Sequence, residues 1–346
     1  MKRKIKLLLP ILALLLLIAA CDALPSGTES APDGGLTVYF IDVGQADSAL
    51  LLCGGEAMLI DGGNAADSQL LYSFLQARDI SHLDYVVATH AHEDHIGGLA
   101  GALNYATVGT ALSPVTEYSS RVFENFVKYL GEQGVEITVP SHGDTFTLGG
   151  ADITVVGPIE PSDEPNNTSI VLRVEYGETS FLFTGDAERE EESDILEMGY
   201  ELSATVLKVG HHGSETSSSY PFLREIMPEY AVISCGTNNS YGHPHDVVLS
   251  RLRDADAEVF RTDMQGTITC VSDGKTVSFS TEKAPIAPTN PTEEVDAEEY
   301  YIGNRNSKKF HSPGCSGLPD EQNRVIFDAR RDAVLEGYTP CGICKP

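Results

Sequence analysis

Basic residues are scarce in this 346-residue chain: 23 Lys and Arg stand against 51 Asp and Glu, a formal charge of −28. Removal of residues 1–20 would take away Lys2, Arg3, Lys4 and Lys6 and leave −32. Such a chain cannot hold nucleic acid by broad counterion release, so any nucleic-acid contact must rest on metal ions and local basic patches. A disulfide framework is also missing. Three of the seven cysteines, Cys53, Cys235 and Cys270, sit in apolar strand-like runs where a small buried thiol is expected. Long apolar runs are absent too: Leu7 to Ala20 is short against the ~20 residues that a spanning helix needs. Hydrophobic residues still make up 41%, ample for the core of one large domain and a small one.

The short apolar run follows a basic start and has the n-region and h-region of an export signal. Leu17-Ile18-Ala19-Ala20-Cys21 resembles a bacterial lipobox, whose cysteine is lipidated after cleavage. The resemblance implies a signal peptide over 1–20, lipid on Cys21, a flexible Pro/Ser/Gly/Asp-rich tether over 21–35 and a location at the cell membrane on its extracytoplasmic face. A plain signal peptide or an uncleaved anchor is the alternative.

From Leu36 the chain alternates. Strands are predicted over 36–43, 49–53, 58–60, 85–88, 135–139, 153–156, 170–174, 181–183, 205–209, 231–234, 258–261 and 267–271, and helices over 67–78, 120–130, 187–198, 220–227 and 247–255. Polar motifs fall at strand ends, the densest being Thr89-His90-Ala91-His92-Glu93-Asp94-His95. Three imidazoles and two carboxylates so close together need hydrogen-bond partners or a cation if buried, so a metal site is the economical explanation and a solvated His-rich loop the alternative. His90 and His92, two apart at a strand end, lean to one side. Asp94 and His95 open the next helix and can reach a second ion.

Leu59-Ile60-Asp61-Gly62-Gly63, Phe181-Leu182-Phe183-Thr184-Gly185-Asp186 and Lys208-Val209-Gly210-His211-His212-Gly213-Ser214 end other strands. In this order, with HxHxDH, they resemble the motifs of the metallo-β-lactamase superfamily. The stretch Val38 to Ser48, the HHGS segment and Asn239-Ser240-Tyr241-Gly242-His243-Pro244 resemble the hydrolase domain of the ComEC/Rec2 competence proteins, over about residues 36 to 281. The resemblance implies a four-layer αββα sandwich of α/β class. It implies His90 and His92 on one ion, Asp94 and His95 on a second, Asp186 as bridge, and His211 or His212 completing the second site. Asp61 would orient a histidine or the loop. The third motif departs from the usual pattern: Asn166 and Asn167 stand where most members carry a histidine, so the first ion has a weaker ligand set. The His and carboxylate donors fit Zn or Mn. Two such ions acidify a shared water into a hydroxide nucleophile and clamp the attacking and leaving oxygens, so no Ser, Cys or Lys nucleophile is needed. Asp94, Asp186 and His243 are the catalytic candidates, His243 as oxyanion ligand or acid; His245, His142 and His82 read as loop residues.

Thr281 to Glu299 is Pro- and Glu-rich without periodicity and reads as a linker over 282–298. Beyond it, His311-x3-Cys315 and Cys341-x2-Cys344 form two close pairs separated by a loop, the spacing of a tetrahedral structural zinc in a domain over 299–346 too small for a sufficient core. A Cys341–Cys344 or Cys315–Cys341 disulfide is the alternative. The tail resembles the zinc-binding module of the Ada DNA-repair protein, including its GY-x-PC-x-x-C ending. His311 replaces the methyl-accepting cysteine of that family, so the likeness does not extend to methyl transfer.

These readings give an exported, membrane-tethered metal-dependent phosphodiesterase acting on DNA or another phosphodiester polymer. The alternatives are a hydrolase of small esters, lactams or thioesters on the same centre and a non-catalytic surface-binding lipoprotein.

Overall fold

The structure is a computed structural model that describes residues 35–292, 300–344 and 346. Cys21, with the export signal, most of the tether and residues 293–298 of the linker, lies outside the described residues.

Strands follow in chain order as β1 (Leu36–Phe40), β2 (Ala49–Cys53), β3 (Glu56–Ile60), β4 (His82–Val87), β5 (Thr107–Leu112), β6 (Ile137–Thr138), β7 (Thr145–Leu148), β8 (Ala151–Gly157), β9 (Val171–Tyr176), β10 (Thr179–Phe183), β11 (Val206–Lys208), β12 (Tyr230–Ile233), β13 (Glu258–Arg261), β14 (Ile268–Ser272) and β15 (Val277–Thr281). One sheet has the order β15-β14-β1-β2-β3-β4-β5-β6 and the other β13-β12-β11-β10-β9-β8-β7. The helices are α1 (Ser68–Gln76), α2 (Glu93–Ile96), α3 (Leu99–Tyr105), α4 (Arg121–Glu132), α5 (Arg189–Met198), α6 (Tyr220–Ile226), α7 (Asp246–Asp254) and α8 (Thr262–Gln265).

Two-residue alternation builds the layers. Leu36, Val38 and Phe40 of β1 meet Phe181, Phe183 and Val206 of the second sheet between the sheets, while Tyr39 turns outward to pack with Leu71, Leu75, Leu99 and Phe126 of the helices. On the far side Leu182, Leu207 and Ala231 meet Ile195, Phe222, Leu223 and Leu252. The αββα sandwich expected from the motifs is therefore present. The predicted helices match α1 and α4 to α7 within about two residues at each end. Strands β5, β7 and β15 are additions, and the run read as a strand over 135–139 pairs only at Ile137–Thr138. In β5 the apolar pattern is broken by Gly109, whose Cβ would lie 2.8 Å from the Asp84 carbonyl oxygen. Among the described residues no helix is long and apolar enough to cross a membrane.

The C-terminal module has its own sheet, β18-β16-β17-β19, from β16 (Tyr301–Asn304), β17 (Lys309–His311), β18 (Arg324–Phe327) and β19 (Thr339–Pro340), with α9 (Arg330–Leu335) beside it. Its core is Tyr301, Phe310, Phe327, Ala333, Val334 and Tyr338, and Tyr220 of α6 packs against it. The module is thus docked rather than loosely tethered. Across the seam Arg253 Nη2 donates to the Pro346 carbonyl at 3.2 Å and the Arg330 guanidinium lies 4.0 Å from Asp254 Oδ1, a carboxylate held on the hydrolase side by Tyr220 Oη, which donates to its Oδ2 at 2.6 Å. The first part of the linker is fixed as well: buried Asn290 donates to the Leu249 carbonyl at 2.9 Å, and Arg253 Nη1 to Thr292 O at 3.1 Å. Composition alone cannot show these bonds, because the partners lie on α7.

Glu191 on α5 supplies a pH prediction away from the candidate site. It is only 2% exposed, and its Oε1 accepts from the Ile159 amide at 3.0 Å. Burial pushes its carboxyl up to about 7. The folded protein therefore holds a proton that the unfolded chain has lost above about pH 4.3, so stability falls as pH rises from there through 7. Glu191→Gln should lack this part of the loss. Urea unfolding at pH 5 and pH 8 should show the wild type losing about 3 kcal/mol more than the variant; parallel losses would remove the assignment.

Candidate metal centre

Parallel pairing puts the carboxyl ends of β3 and β4 side by side in one sheet and those of β10, β11 and β12 in the other. The loops leaving these ends carry Asp61, Thr89 to His95, Asp186 and His211-His212. Asp61, His211 and His212 take φ values of +58°, +50° and +53°, a backbone region disfavoured for residues with a side chain and typical of functional turns.

Asp186 is the centre of the cluster and is 2% exposed. Its Oδ1 lies 3.3 Å from His95 Nε2, and its Oδ2 lies 3.6 Å from His211 Nε2, 3.7 Å from His212 Nε2 and 4.0 Å from His90 Nε2. His90 Nε2 and His92 Nδ1 are 3.0 Å apart, and His212 Nε2 is 3.2 Å from Asp94 Oδ2. Asp94, His95, Asp186 and His212 each offer one ligand atom, all within 4.8 Å of one another.

Three of these imidazoles have the other nitrogen anchored outward. His95 Nδ1 is 2.8 Å from Asp61 Oδ2, and Asp61 also accepts from the Thr89 amide and hydroxyl at 2.8 and 2.7 Å. His212 Nδ1 lies 3.1 Å from the Ser234 carbonyl and 3.3 Å from Asp47 Oδ1, while Asp47 Oδ2 accepts from Lys208 Nζ at 2.7 Å. His211 Nδ1 is 3.3 Å from Glu188 Oε1 and 3.2 Å from Thr216 Oγ1. Outer carboxylates of this kind fix the tautomer and aim the free nitrogen inward.

The electrostatics follow from burial working against charge. Burial alone would push His95 and His212 down, yet Asp186 and Asp61 hold His95 well above its ordinary value, and Asp186 and Asp47 push His212 up to about 10. Burial would likewise raise Asp94, but the bond from His212 and the charge of His95 hold it at about 2. Burial keeps His90 well below the usual histidine range, and burial with the charges of His212 and His211 lowers His243 to about 4. The same carboxylate field draws divalent cations. His95 Nε2 and Asp186 Oδ1, although close, are not in hydrogen-bonding geometry, and both are buried without a hydrogen-bond partner. Groups left this way are costly unless they ligate a cation, so the donor set fits metal.

A cavity of about 340 Å³ opens on the cluster, lined by Gln45, His92, Glu93, Asp94, Asn166, Asp186, His211, His212, Tyr241 and His243. His243 therefore lines the same cavity as the cluster. His245 does not line it and accepts from the Glu215 amide at 2.9 Å. The two third-motif asparagines part company. Asn167 turns away and accepts from the Glu188 amide at 3.0 Å, whereas Asn166 lines the cavity with its buried Oδ1 lacking a partner. Asp47, Lys208 and Glu188 went unread as site residues. A lysine ending an apolar strand was the available signal, since a buried ammonium needs a carboxylate.

In the module His311 Nδ1 is 3.4 Å from Cys315 Sγ, Cys315 Sγ is 4.0 Å from Cys341 Sγ, and one ligand atom each from His311, Cys315, Cys341 and Cys344 lie within 4.8 Å of one another. All three module cysteines are free thiols, so the disulfide alternatives are not realised. Amides of Gly317 and Ile343 donate to the Cys315 and Cys341 sulfurs at 3.3 and 3.4 Å, satisfying the thiolates that zinc requires.

A buried histidine–carboxylate cluster at the carboxyl ends of two sandwiched sheets defines a metallohydrolase-type protein. The chain belongs to the metallo-beta-lactamase superfamily, whose family model matches residues 41–237; residues 292–346 match the metal-binding domain of Ada. It is 34% identical over 250 residues to ComE operon protein 3 of Bacillus subtilis (strain 168), covering 67% of this chain and 32% of that protein. It is 32% identical over 243 residues to competence protein ComA of Neisseria gonorrhoeae, covering 69% and 33%. The hydrolase-domain motifs are thus ComEC/Rec2-like, and the chain spans about a third of the length of these relatives. Among solved structures, the metallo hydrolase Igni18 of Ignicoccus hospitalis aligns at a TM-score of 0.46 and 18% identity, over 67% of this chain and 98% of that one.

Proposed function

We propose that the chain is a metal-dependent phosphodiesterase, carried to the extracytoplasmic face by the signal over 1–20 and held at the membrane through lipid on Cys21. Residues 36–281 form the hydrolase domain and 299–346 a docked zinc module. The observation that carries the reading is Asp186, a buried carboxylate meeting four imidazoles and holding an unpartnered oxygen against an unpartnered nitrogen. His90, His92, Asp186 and His211 would hold one ion, and Asp94, His95, Asp186 and His212 the other; His211 would then supply the nitrogen that the third motif lacks.

When bound, two divalent ions bring the pKa of water toward neutrality and neutralise charge on a diester. The chain's own residues orient and exclude. Asp61, Asp47 and Glu188 fix the imidazoles, and Lys208 fixes Asp47. Gln45 Oε1 accepts from the Gly236 amide at 3.0 Å, which turns the Gln45 Nε2 group to donate to His243 Nδ1 at 3.3 Å. That bond leaves the proton of neutral His243 on Nε2, a donor suited to a phosphoryl oxygen. The names of the ComEC/Rec2-like relatives support nucleic acid as the polymer.

The test is hydrolysis of bis-p-nitrophenyl phosphate against nitrocefin by the purified soluble chain supplied with Zn or Mn. Diester cleavage is expected; cleavage of the lactam or a thioester alone would replace the reading with a small-molecule hydrolase. For the anchor, Cys21→Ala should leave the precursor uncleaved or the product released from washed membranes. A processed variant retained as well as wild type would remove the lipid from the account.

A further inference from the structure

The seam between the hydrolase domain and the module holds a second cavity, of about 420 Å³, lined by Arg189, Ser193 and Leu196 of α5, Ser219 just before α6, Tyr220 and Pro221 of α6, Arg251 of α7 and Thr339 of β19. Among the described residues no carboxylate side chain lines it, in a chain carrying 51 Asp and Glu. The charge of the chain is also unevenly divided. Residues 299–346 hold seven of the 23 Lys and Arg and six of the 51 acids, so the module side of the seam carries little of the chain's negative charge. Lys309 stands at this edge, its Nζ donating to Thr339 Oγ1 at 2.8 Å.

Arg251 is 6% exposed and donates to the carbonyls of Glu215, Ser217 and Ser218; exposed Arg189 donates to the same Glu215 carbonyl. Burial and the neighbouring charge of Arg189 push the Arg251 guanidinium down from its ordinary value, against the opposing charges of Glu192 and Glu215. Two guanidiniums converge on one side of the cavity, an arrangement that a phosphate can bridge. The 214–219 loop that they hold carries Thr216, which contacts both His211 and Glu188 at the metal centre. The cavity is thus one loop away from the cluster.

We infer that this seam cavity is a subsite for one nucleotide of a single-stranded nucleic acid: Arg189 and Arg251 face its phosphate, the Ser193 and Ser219 hydroxyls bind polar edges, and Tyr220, Pro221 and Leu196 give the base an apolar wall. The ligand class rests on the phosphodiesterase reading. A single strand suits the geometry because an unstacked base can enter a cavity while its phosphate stays at the basic rim. This concentrates binding at a local patch and reconciles a polyanionic ligand with a formal charge of −28.

The test is fluorescence anisotropy with a labelled short oligodeoxythymidylate, using the full mature chain with Asp186→Ala so that the probe stays intact. Arg189→Glu and Ser193→Glu should each weaken binding about tenfold, and Arg189→Glu should reduce the salt dependence by about one phosphate contact. Lys128→Glu, an equal charge change to that of Arg189→Glu on the exposed face of α4 in the other layer, should leave binding unaltered. Equal weakening by Lys128→Glu, no weakening by the two seam variants, or no binding by the parent would each overturn the subsite. Bis-p-nitrophenyl phosphate hydrolysis by the chain with Asp186 intact judges the phosphodiesterase reading separately: activity without seam-dependent binding keeps the enzyme and removes the subsite.

Discussion

Asp186→Ala is expected to lower kcat for bis-p-nitrophenyl phosphate by on the order of a thousandfold or more, about 4 kcal/mol of barrier. The expectation comes from geometry. Among the described residues Asp186 is the one carboxylate in contact with His90, His95, His211 and His212 together, so its loss leaves imidazoles from both halves of the cluster without a shared counter-charge. Metal content should fall with activity, and elemental analysis of the purified variant reads this directly. The contrast is with the two asparagines. Asn167→Ala removes an acceptor for the Glu188 amide and should cost about 1 kcal/mol of stability while kcat stays within a few-fold. Asn166→Ala removes a neutral group from the cavity wall and should act on KM more than on kcat. Full diesterase activity in Asp186→Ala together with none in Asn167→Ala would show that the ligand assignment is wrong.

The partners that hold the imidazoles should give smaller losses of the same kind. Asp47→Asn keeps the shape but weakens the hold on His212 Nδ1 and leaves Lys208 Nζ buried without its anion. A drop of roughly 10- to 100-fold in zinc affinity is expected. Unaltered zinc titration of Asp47→Asn would show that the Ser234 carbonyl alone positions His212.

The sandwich and the innermost residues were legible in the sequence because they are local. Apolar alternation runs to a strand end, and the next few residues carry the donors: Asp61 after β3, His90 to His95 after β4, Asp186 after β10 and His211-His212 after β11. What lay outside that logic was unread. Asn166 and Asn167 are adjacent and chemically identical, and only the 3-10 turn over Pro165–Thr168 sends one to the cavity and the other to the Glu188 amide. Glu188 is lost in an acidic run, and Asp47 and Lys208 meet across 161 residues of sequence separation. β15, at a sheet edge with exposed Ser278 and Ser280, has too few apolar residues to stand out. Docking of the module had no periodic signature either, because its contacts join Tyr220 and Asp254 to Arg330 through charge and a hydroxyl.

That docking sets the expected result for zinc in the module. Cys341→Ser should remove one zinc equivalent and unfold residues 301–340, since structural zinc contributes on the order of 10 kcal/mol in small fingers and the module's core is one small cluster. The substitution is preferable to a chelator, which would strip the hydrolase cluster as well. Unfolding would uncover Asp254, fully buried beneath Tyr220 and the arginines, and the wall formed by Tyr220, so the α6–α7 region should loosen while the two large sheets hold. Hydrogen exchange on the full chain reads both effects: protection lost over β16 to β19, lowered at α6 and α7, and retained at β1 to β4 and β10 to β12. Protection of β16 to β19 equal to wild type in a zinc-free Cys341→Ser variant would show that docking alone folds the module. A wild-type preparation with no module zinc and two fewer titratable thiols would replace the metal with a disulfide.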